Sequence, residues 1–343
     1  MKKFIKNIVL FALSAVVFAE LLCVFADPFN VFHPYHLRNN GIEPNKNYIK
    51  MKYLLKNPDK FDALLFGSSR VGNIHVENMK DNKCYNMTYS VGLPKEHLDN
   101  IRTLFENGIF PKVIYIGVDD VSYRMDPSEH LTEPLRCPYE NIKKDPVQFV
   151  KLYLNPAYAG SAFIENAGSA RMDNFRDRFY ETGWNYDYGF ESGIYFSEGS
   201  PEEVKARIYG TLNPDPDTPV HFEETLQELE ETKELCEENG VELVIFVNPM
   251  LYAQQVDANY LEFLKRLAEI TPYWNFGGYN DLIYDDLNYI DDSHVSAETS
   301  DLIIRCMCNG EKIDGLYEHG FGRYITKDNV DDLLPVLSGQ KAF

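Results

Sequence analysis

The first apolar feature of the chain is an almost unbroken run between residues 8 and 26. As a helix rising about 1.5 Å per residue, this run spans roughly 28 Å, close to the thickness of a bilayer's hydrocarbon core. Lys2, Lys3 and Lys6 precede it. Because basic flanks stay on the cytoplasmic side, the pattern predicts a single-pass anchor in the cell membrane with the following chain on the extracytoplasmic side.

Two other interpretations of this segment remain open. A cleavable signal peptide would end at Ala26, since Val24-Phe25-Ala26 satisfies the small-residue rule loosely. Lipid attachment at Cys23 is disfavoured because Leu22 is too large for the small residue that usually precedes the modified cysteine. The length of the run favours a retained anchor.

From residue 58 onward, short apolar runs alternate with segments of helical periodicity. Strands are predicted at residues 63–66, 84–89, 113–118 and 241–247, and helices at residues 96–107, 222–239 and 259–269 and within 292–308. The continuous β-branched run at 113–118 is typical of a strand buried on both faces. This alternation predicts an α/β domain with a parallel sheet covered by helices.

The pattern divides the chain into an anchor at 1–27, a juxtamembrane connector at 28–57 and an α/β domain at 58–343. Residues 123–219 lack clear periodicity apart from a helix predicted at 145–154, so they form an insertion in that domain. Long irregular insertions commonly shape access to a site.

Composition narrows the possible partners. The chain has 53 acidic and 33 basic residues and a formal net charge of -20, a field that repels phosphate backbones and argues against nucleic acid. The acidity suits solubility or a preference for a cationic or neutral surface glycan. The six cysteines show neither a C-x-x-C pair nor zinc-like spacing.

Candidate chemistry lies where the predicted strands end. Ser69 follows the first strand, and Asp291 and His294 precede the last helix. A serine is a weak nucleophile and needs a base, which in turn needs a partner to fix its tautomer. Because the carboxyl ends of parallel strands share one edge of a sheet, we predict Ser69 as nucleophile, His294 as base and Asp291 as its orienting partner. Taken alone, the Gly-Ser-Ser turn is equally typical of a helix N-cap.

These residues resemble the SGNH (GDSL-type) hydrolase superfamily. Gly67-Ser68-Ser69 after an apolar strand and Asp291-x-x-His294 are similar to its first and last motifs. Residues 85–88 with Gly92 and residues 116–120 are similar to its second and third. The resemblance spans roughly residues 60–125 and 240–300 and implies a flavodoxin-like three-layer sandwich with a parallel sheet.

The resemblance also implies an oxyanion hole. Its donors would be the backbone N–H of Ser69, an N–H near Gly92 and a side chain at Asp119, where the family has Asn. An ionised carboxylate cannot donate a hydrogen bond, and losing one such donor costs on the order of 10²–10³ in rate. The sequence leaves open a protonated Asp119, a substitute donor or weak turnover. It also leaves open whether Arg70 meets a substrate anion or pairs with Asp119 or Asp120.

The anchor followed by Asp27-Pro28-Phe29 is similar to a cell-envelope branch of the superfamily. That branch includes the teichoic acid D-alanine-transfer protein and the alginate O-acetylation proteins. The similarity implies a surface polysaccharide as substrate and a multi-spanning membrane acyltransferase as a possible partner.

The sequence therefore predicts a serine esterase or O-acyltransferase acting on acyl, expected acetyl, esters of a cell-surface polysaccharide, without cofactor or metal. A catalytically weak glycan-binding or scaffold protein that partners a membrane acyltransferase is the alternative, and Asp119 favours it. A metal-dependent hydrolase is a third hypothesis. It depends on an acidic run whose spacing matches no EF-hand loop: Asp281, Asp285, Asp286, Asp291 and Asp292.

Overall fold

The computed structural model describes residues 1–35, 42–79, 82–166, 179–183, 220–249, 258–278, 282, 288–289 and 294–339. Its helices, labelled in chain order, are α1 (Lys2–Ala26), α2 (Lys46–Lys56), α3 (Pro94–Glu106), α4 (Val121–Arg124), α5 (Tyr139–Lys144), α6 (Pro146–Tyr153), α7 (Pro156–Asn166), α8 (Phe222–Glu238), α9 (Ala258–Ile270), α10 (Ala297–Asn309) and α11 (Val330–Gly339). The strands are β1 (Ala63–Phe66), β2 (Cys84–Asn86), β3 (Val113–Val118), β4 (Glu242–Val247), β5 (Tyr273–Asn275) and β6 (Arg323–Ile325). Short 3₁₀ helices lie at Ser69–Val71, Val76–Asn78, Pro127–Thr132 and Tyr317–His319.

The chain divides into two compact units. The first comprises Met1–Lys56 and Ser128–Asp177, and the second comprises Asn57–Pro127 and Arg178–Phe343. The predicted connector therefore shares a unit with the apolar helix and with part of the predicted insertion. It also contains α2, which the sequence analysis did not predict.

The second unit is built on a six-stranded sheet with the order β2-β1-β3-β4-β5-β6. The first five strands are parallel, whereas β6 pairs antiparallel with β5. The α/β class is thus confirmed, but the sheet is mixed rather than wholly parallel. β6 is only three residues long and mostly solvent-accessible, so it has no apolar run that would identify it in the sequence.

The central strands follow directly from the apolar pattern. Every residue of β1 and β3 is buried, and their predicted bounds are confirmed. Between β2 and β3, α3 begins with Pro94 at its first position and ends just before Gly108, which has a left-handed φ of 77°. Proline at the start and glycine past the end fit the unpaired backbone groups at helix termini.

The first unit is organised around the end of α1. This 25-residue helix is long and apolar enough to cross a membrane. At its C-terminal end Cys23 and Ala26 are buried against Ala159 and Ala162 of α7. Small residues at these four positions allow the two helix backbones to lie close together.

Asp27 fixes the direction in which the chain leaves α1. It adopts a left-handed φ of 42°, and its N–H donates to the Cys23 carbonyl at 2.9 Å. Its carboxylate accepts the backbone N–H groups of Val31 at 2.9 Å and His33 at 2.8 Å. The segment up to His33 is therefore held against the end of α1 by hydrogen bonds to Asp27.

Candidate active site

The turn that follows β1, residues 67–73, is called the Ser69 turn below. It starts at Gly67, whose φ is 152° and at which a Cβ would lie 2.8 Å from Val71 Cγ2 and 3.1 Å from the Gly117 carbonyl oxygen. A glycine is required here by both conformation and space. Ser68 is extended and caps the 3₁₀ helix Ser69–Val71, accepting the Arg70 N–H at 3.3 Å. Ser69 is half-buried and so remains accessible.

The structure brings Ser69 and His294 together. His294 Nε2 lies 3.0 Å from Ser69 Oγ, although the two residues are 225 positions apart in the chain. A serine hydroxyl donates to Nε2 only when the imidazole carries its proton on Nδ1. In that tautomer the ring can act as a base toward the hydroxyl.

A hydrogen bond from a side chain to the backbone keeps the His294 segment beside the Ser69 turn. Asn73 Nδ2, at the end of the turn, donates to the Val295 carbonyl at 2.9 Å, and both residues are buried. Val295 also forms an antiparallel bridge with Tyr289. The predicted orienting residue, Asp291, lies outside the described residues.

A charged network underlies the same turn. Ser68 Oγ donates to Asp119 Oδ2 at 2.8 Å, and the Val121 N–H donates to Asp119 Oδ1 at 2.9 Å. Arg70 pairs with Asp120, and its Nη1 lies 3.5 Å from Asp119 Oδ1. Of the two roles that the sequence left open for Arg70, the structure contains the ion pair.

Asp119 is buried, at 3% exposure. Burial raises the pKa of this carboxyl group, and the nearby Arg70 guanidinium opposes the rise. Both of its oxygens face groups of the Ser69 turn and of the start of α4. It therefore contacts the residues on either side of Ser69.

A second turn, residues 89–92, follows β2 and is called the Gly92 turn below. The Gly92 N–H donates to the Tyr89 carbonyl at 3.1 Å, which closes the turn. Val91 has a φ of 58°, an outlying conformation for a β-branched residue. A Cβ at Gly92 would lie 2.5 Å from the Gly67 carbonyl oxygen and 2.9 Å from His97 Cε1, so the two turns touch at this glycine.

Two buried asparagines donate hydrogen bonds to two further carbonyls of the Ser69 turn. Asn86 Nδ2, at the end of β2, donates to Gly72 O at 2.9 Å, and Asn248 Nδ2, just after β4, donates to Arg70 O at 3.3 Å. No role for Asn73, Asn86 or Asn248 was predicted from the sequence. Asparagine at the end of an otherwise apolar strand is a signal that could have identified Asn86 and Asn248, whereas no local signal distinguishes Asn73.

The sheet order places this cluster at a position favourable for ligands. Strand order reverses between β1 and β3, and crevices beyond the carboxyl ends of strands at such a reversal are the usual binding sites of open α/β sheets. The Ser69 turn follows β1, and Asp119 follows β3.

Two other sequence expectations concern metals and cysteines. The described residues contain no group of three or more His, Cys, Asp or Glu side chains that could hold a metal ion. The acidic run considered as a metal site, Asp281, Asp285, Asp286, Asp291 and Asp292, lies outside those residues. All six cysteines are free thiols.

Comparison with known proteins does not assign the chain to a family. No protein-family model matches it, and no curated protein sequence matches it.

Proposed function

We propose that this chain is a membrane-anchored, extracytoplasmic serine esterase or O-acyltransferase of the SGNH type. Its substrate would be an acyl, expected acetyl, ester of a cell-surface polysaccharide. The observation that carries the proposal is the 3.0 Å contact between His294 Nε2 and Ser69 Oγ. A nucleophile within hydrogen-bond reach of a base is the geometric requirement for this chemistry.

In the proposed mechanism, Ser69 Oγ attacks the carbonyl carbon of an acyl ester while His294 Nε2 takes its proton. The tetrahedral intermediate collapses, and the imidazolium returns the proton to the departing alcohol oxygen, which leaves an acyl-serine. Water or a glycan hydroxyl then attacks this ester, again with His294 as base. Water gives an esterase and the glycan hydroxyl gives an O-acyltransferase. Asp291 remains the proposed partner that orients His294.

The backbone N–H of Ser69 is a proposed oxyanion donor, since it has no acceptor among the described residues. The Gly92 N–H would have to release the Tyr89 carbonyl before it could serve. The neighbouring Val91 N–H, which has no acceptor among the described residues, is the alternative from the same turn. Oxyanion donors act through pre-set geometry, which a rigid turn provides.

Asp119 has a different part in this proposal. As it accepts from Ser68 and pairs with Arg70, we assign it to positioning the Ser69 turn rather than to donating toward the oxyanion. The expected loss of one donor would then slow turnover without removing the nucleophile.

The strand order supports the fold part of the proposal. The five parallel strands run in the order 2-1-3-4-5 found in flavodoxin-like sheets. We therefore propose a three-layer arrangement of the SGNH kind for the second unit. Lys2, Lys3 and Lys6 at the start of α1, ahead of the apolar run, support the extracytoplasmic orientation. A multi-spanning membrane acyltransferase is the proposed source of the acyl group.

The test is covalent labelling of the full chain in detergent with a serine-directed fluorophosphonate, together with hydrolysis of p-nitrophenyl acetate. We expect labelling of the wild type and of the control Ser161→Ala, an exposed serine on α7. We expect none of Ser69→Ala and strongly slowed labelling of His294→Ala. Hydrolysis should survive a chelator, which the metal-dependent hypothesis does not allow.

A glycan-binding or scaffold protein is the second candidate. The hydrogen bond that already occupies the Gly92 N–H and the acid at Asp119 favour it, because both weaken the oxyanion hole. A folded wild type that neither labels nor differs from Ser69→Ala would contradict the enzyme and support this candidate.

A further inference from the structure

The first unit exposes large apolar side chains on two consecutive helices. After residue 26, large apolar side chains are exposed at Phe110, Val147, Val150, Ile164, Val220 and Tyr324 among the described residues. Val147 on α6 is 62% exposed, Val150 on α6 is 50% and Ile164 on α7 is 75%. Single exposed apolar residues need no explanation, whereas three on two consecutive helices indicate a surface that is covered in use.

Lysines accompany these side chains. Lys143 and Lys144 end α5, are 49% and 74% exposed and both pair with Glu140, while Lys151 on α6 is exposed. The opposite side of α6 is buried through Leu152 and Tyr153. In a chain of net charge -20, the outer side of α6 thus combines apolar residues with Lys151 and follows the two lysines that end α5. That combination is typical of helices lying at a membrane surface. We call Val147, Val150, Ile164, Lys144 and Lys151 the α6–α7 face.

The α6–α7 face is built directly on the end of the apolar helix. α7 packs against Cys23 and Ala26 in the last two turns of α1. α6 packs against the segment that follows α1, where the rings of Phe32 and Phe149 lie 5.4 Å apart and those of Phe29 and Tyr153 lie 5.8 Å apart. If α1 crosses a bilayer, the bilayer surface at the C-terminal end of α1 would therefore lie close to both α6 and α7.

A pocket of about 270 Å³ lies beside this face, between α2, α5 and α6. Its walls include the rings of Tyr48 and Tyr139, 5.7 Å apart, and two of its lining residues are Lys52 and Lys143. Lys143 lies 3.4 Å from Glu140, whereas no carboxylate among the described residues lies within 4.0 Å of the Lys52 ammonium. Aromatic walls beside the Lys52 ammonium suit a ligand that has an anionic group attached to an apolar body.

We propose that the α6–α7 face lies on the outer surface of an anionic bilayer, with the phosphate of a lipid headgroup at Lys52 and Lys143. Val147, Val150 and Ile164 enter the boundary between headgroups and acyl chains. Basic residues near such a surface attract anionic lipid. This inference rests on the membrane attachment included in the proposed function, but not on the chemistry of Ser69.

The test uses the full chain in nanodiscs, with Cys308→Ser removing the one thiol that is not buried. An environment-sensitive fluorophore is attached to Val150→Cys, Ile164→Cys or the control Glu269→Cys, an exposed position on α9 of the second unit. Lipids carrying nitroxide quenchers report depth. We expect quenching at 150 and 164 from about 5–10 Å into the boundary region and none at 269. Replacing phosphatidylglycerol by phosphatidylcholine should weaken the quenching at 150.

A second measurement addresses the headgroup. We expect Lys52→Gln with Lys143→Gln to retain less phosphatidylglycerol on extraction into detergent than the wild type. A charge-matched control, Lys265→Gln with Lys327→Gln, should retain as much as the wild type. A pocket that binds glycerol 3-phosphate but retains no lipid would overturn the proposal in favour of a soluble ligand.

Carbonate extraction of membranes separates the two ways of failing. Fluorophores at 150 and 164 as water-exposed as that at 269, with α1 resistant to extraction, would overturn this inference alone. Quenching in native membranes but not in nanodiscs would indicate a protein partner and would also overturn it. Release of the chain by carbonate would remove the membrane attachment itself, while fluorophosphonate labelling of Ser69 would still test the chemistry.

Discussion

The Ser69 turn and the Gly92 turn follow neighbouring parallel strands, yet they are held in shape by different means. Side-chain hydrogen bonds hold the Ser69 turn. Asp119 accepts from the Ser68 hydroxyl, Asn86 donates to the Gly72 carbonyl, and Asn248 donates to the Arg70 carbonyl. In the described part of the chain, one backbone hydrogen bond closes the Gly92 turn, and the Tyr89 hydroxyl donates to Glu96 Oε2 on α3 at 2.6 Å. Val91 in this turn takes a left-handed conformation.

The packing beneath the two turns differs in the same way. His97 lies under the Gly92 turn, with its ring 5.4 Å from that of Phe66 and 5.7 Å from that of Tyr89. Its Nδ1 is buried and has no hydrogen-bond partner among the described residues. Polar partners fix a turn in both direction and register, whereas apolar packing fixes mainly its position. This edge of the sheet therefore combines one turn that side-chain hydrogen bonds hold in place with one turn that stores backbone strain.

The largest effect is expected from Asp119→Ala, which removes the acceptor of Ser68 and one of the two acidic partners of Arg70. We expect the free energy of unfolding to fall by about 3 kcal/mol, because buried donors lose their partner. Fluorophosphonate labelling should slow on the order of 10²-fold, the cost of a displacement of about 1 Å at a reacting group.

Asp119→Asn is the matched control, since it keeps an oxygen that can accept from Ser68. It should lose less stability than Asp119→Ala. Labelling faster than the wild type in Asp119→Asn would contradict the positioning role and indicate that an amide donor at this position assists the oxyanion.

Gly92→Ala tests the point where the two turns touch. The new methyl group would lie 2.5 Å from the Gly67 carbonyl oxygen, a backbone atom that cannot swing away. Overpacking of this kind costs about 1–3 kcal/mol in unfolding free energy, and we expect slower labelling of Ser69 as well. Gly160→Ala, where no atom lies within 4 Å, should show neither loss in denaturant titration. Unchanged labelling in Gly92→Ala would mean that the turns are not coupled.

His97→Leu isolates a pH effect beneath the Gly92 turn. Burial lowers the pKa of His97 to about 3, from 6.5 when exposed. Between these values the unfolded chain binds one proton that the folded chain does not, so stability falls as pH falls, by about 1.4 kcal/mol per pH unit. Denaturant titrations between pH 4 and pH 6.5 fall inside the window of about 3 to 6.5. In them, the free energy of unfolding should depend less steeply on pH for His97→Leu than for the wild type, by that amount. Equal slopes would show that His97 is protonated in the folded chain.

Val91→Gly gives the smallest expected effect and tests directly whether the Gly92 turn is strained. Release of a left-handed β-branched residue, less the entropy cost of glycine, should raise the free energy of unfolding by about 1 kcal/mol. Val91→Ala keeps the unfavourable φ and should gain less. If the strain holds an N–H in place, labelling slows in Val91→Gly although the protein is more stable; a loss of stability would refute the strain.

Much of the fold follows from local pattern. The bounds of β1 and β3 and the existence of α3, α8 and α9 could be predicted, because continuous apolar runs and helical periodicity are local signals. The three-residue strands β5 and β6 and the helix α2 could not. They owe their structure to neighbours in the fold rather than to their own sequence.

The sequence by itself determined the α/β class, the apolar helix at the start of the chain and the choice of Ser69 and His294 as candidates. These features can be recognised because residue type, and position relative to the end of a predicted strand, are properties of the local sequence. Only the tertiary structure decided that His294 Nε2 lies 3.0 Å from Ser69 Oγ, that Asp119 accepts from Ser68 and that the Gly92 N–H is already bonded. Hydrogen-bond partners depend on the placement of groups distant in sequence, and a carboxylate or an N–H has the same local sequence whichever partner it meets.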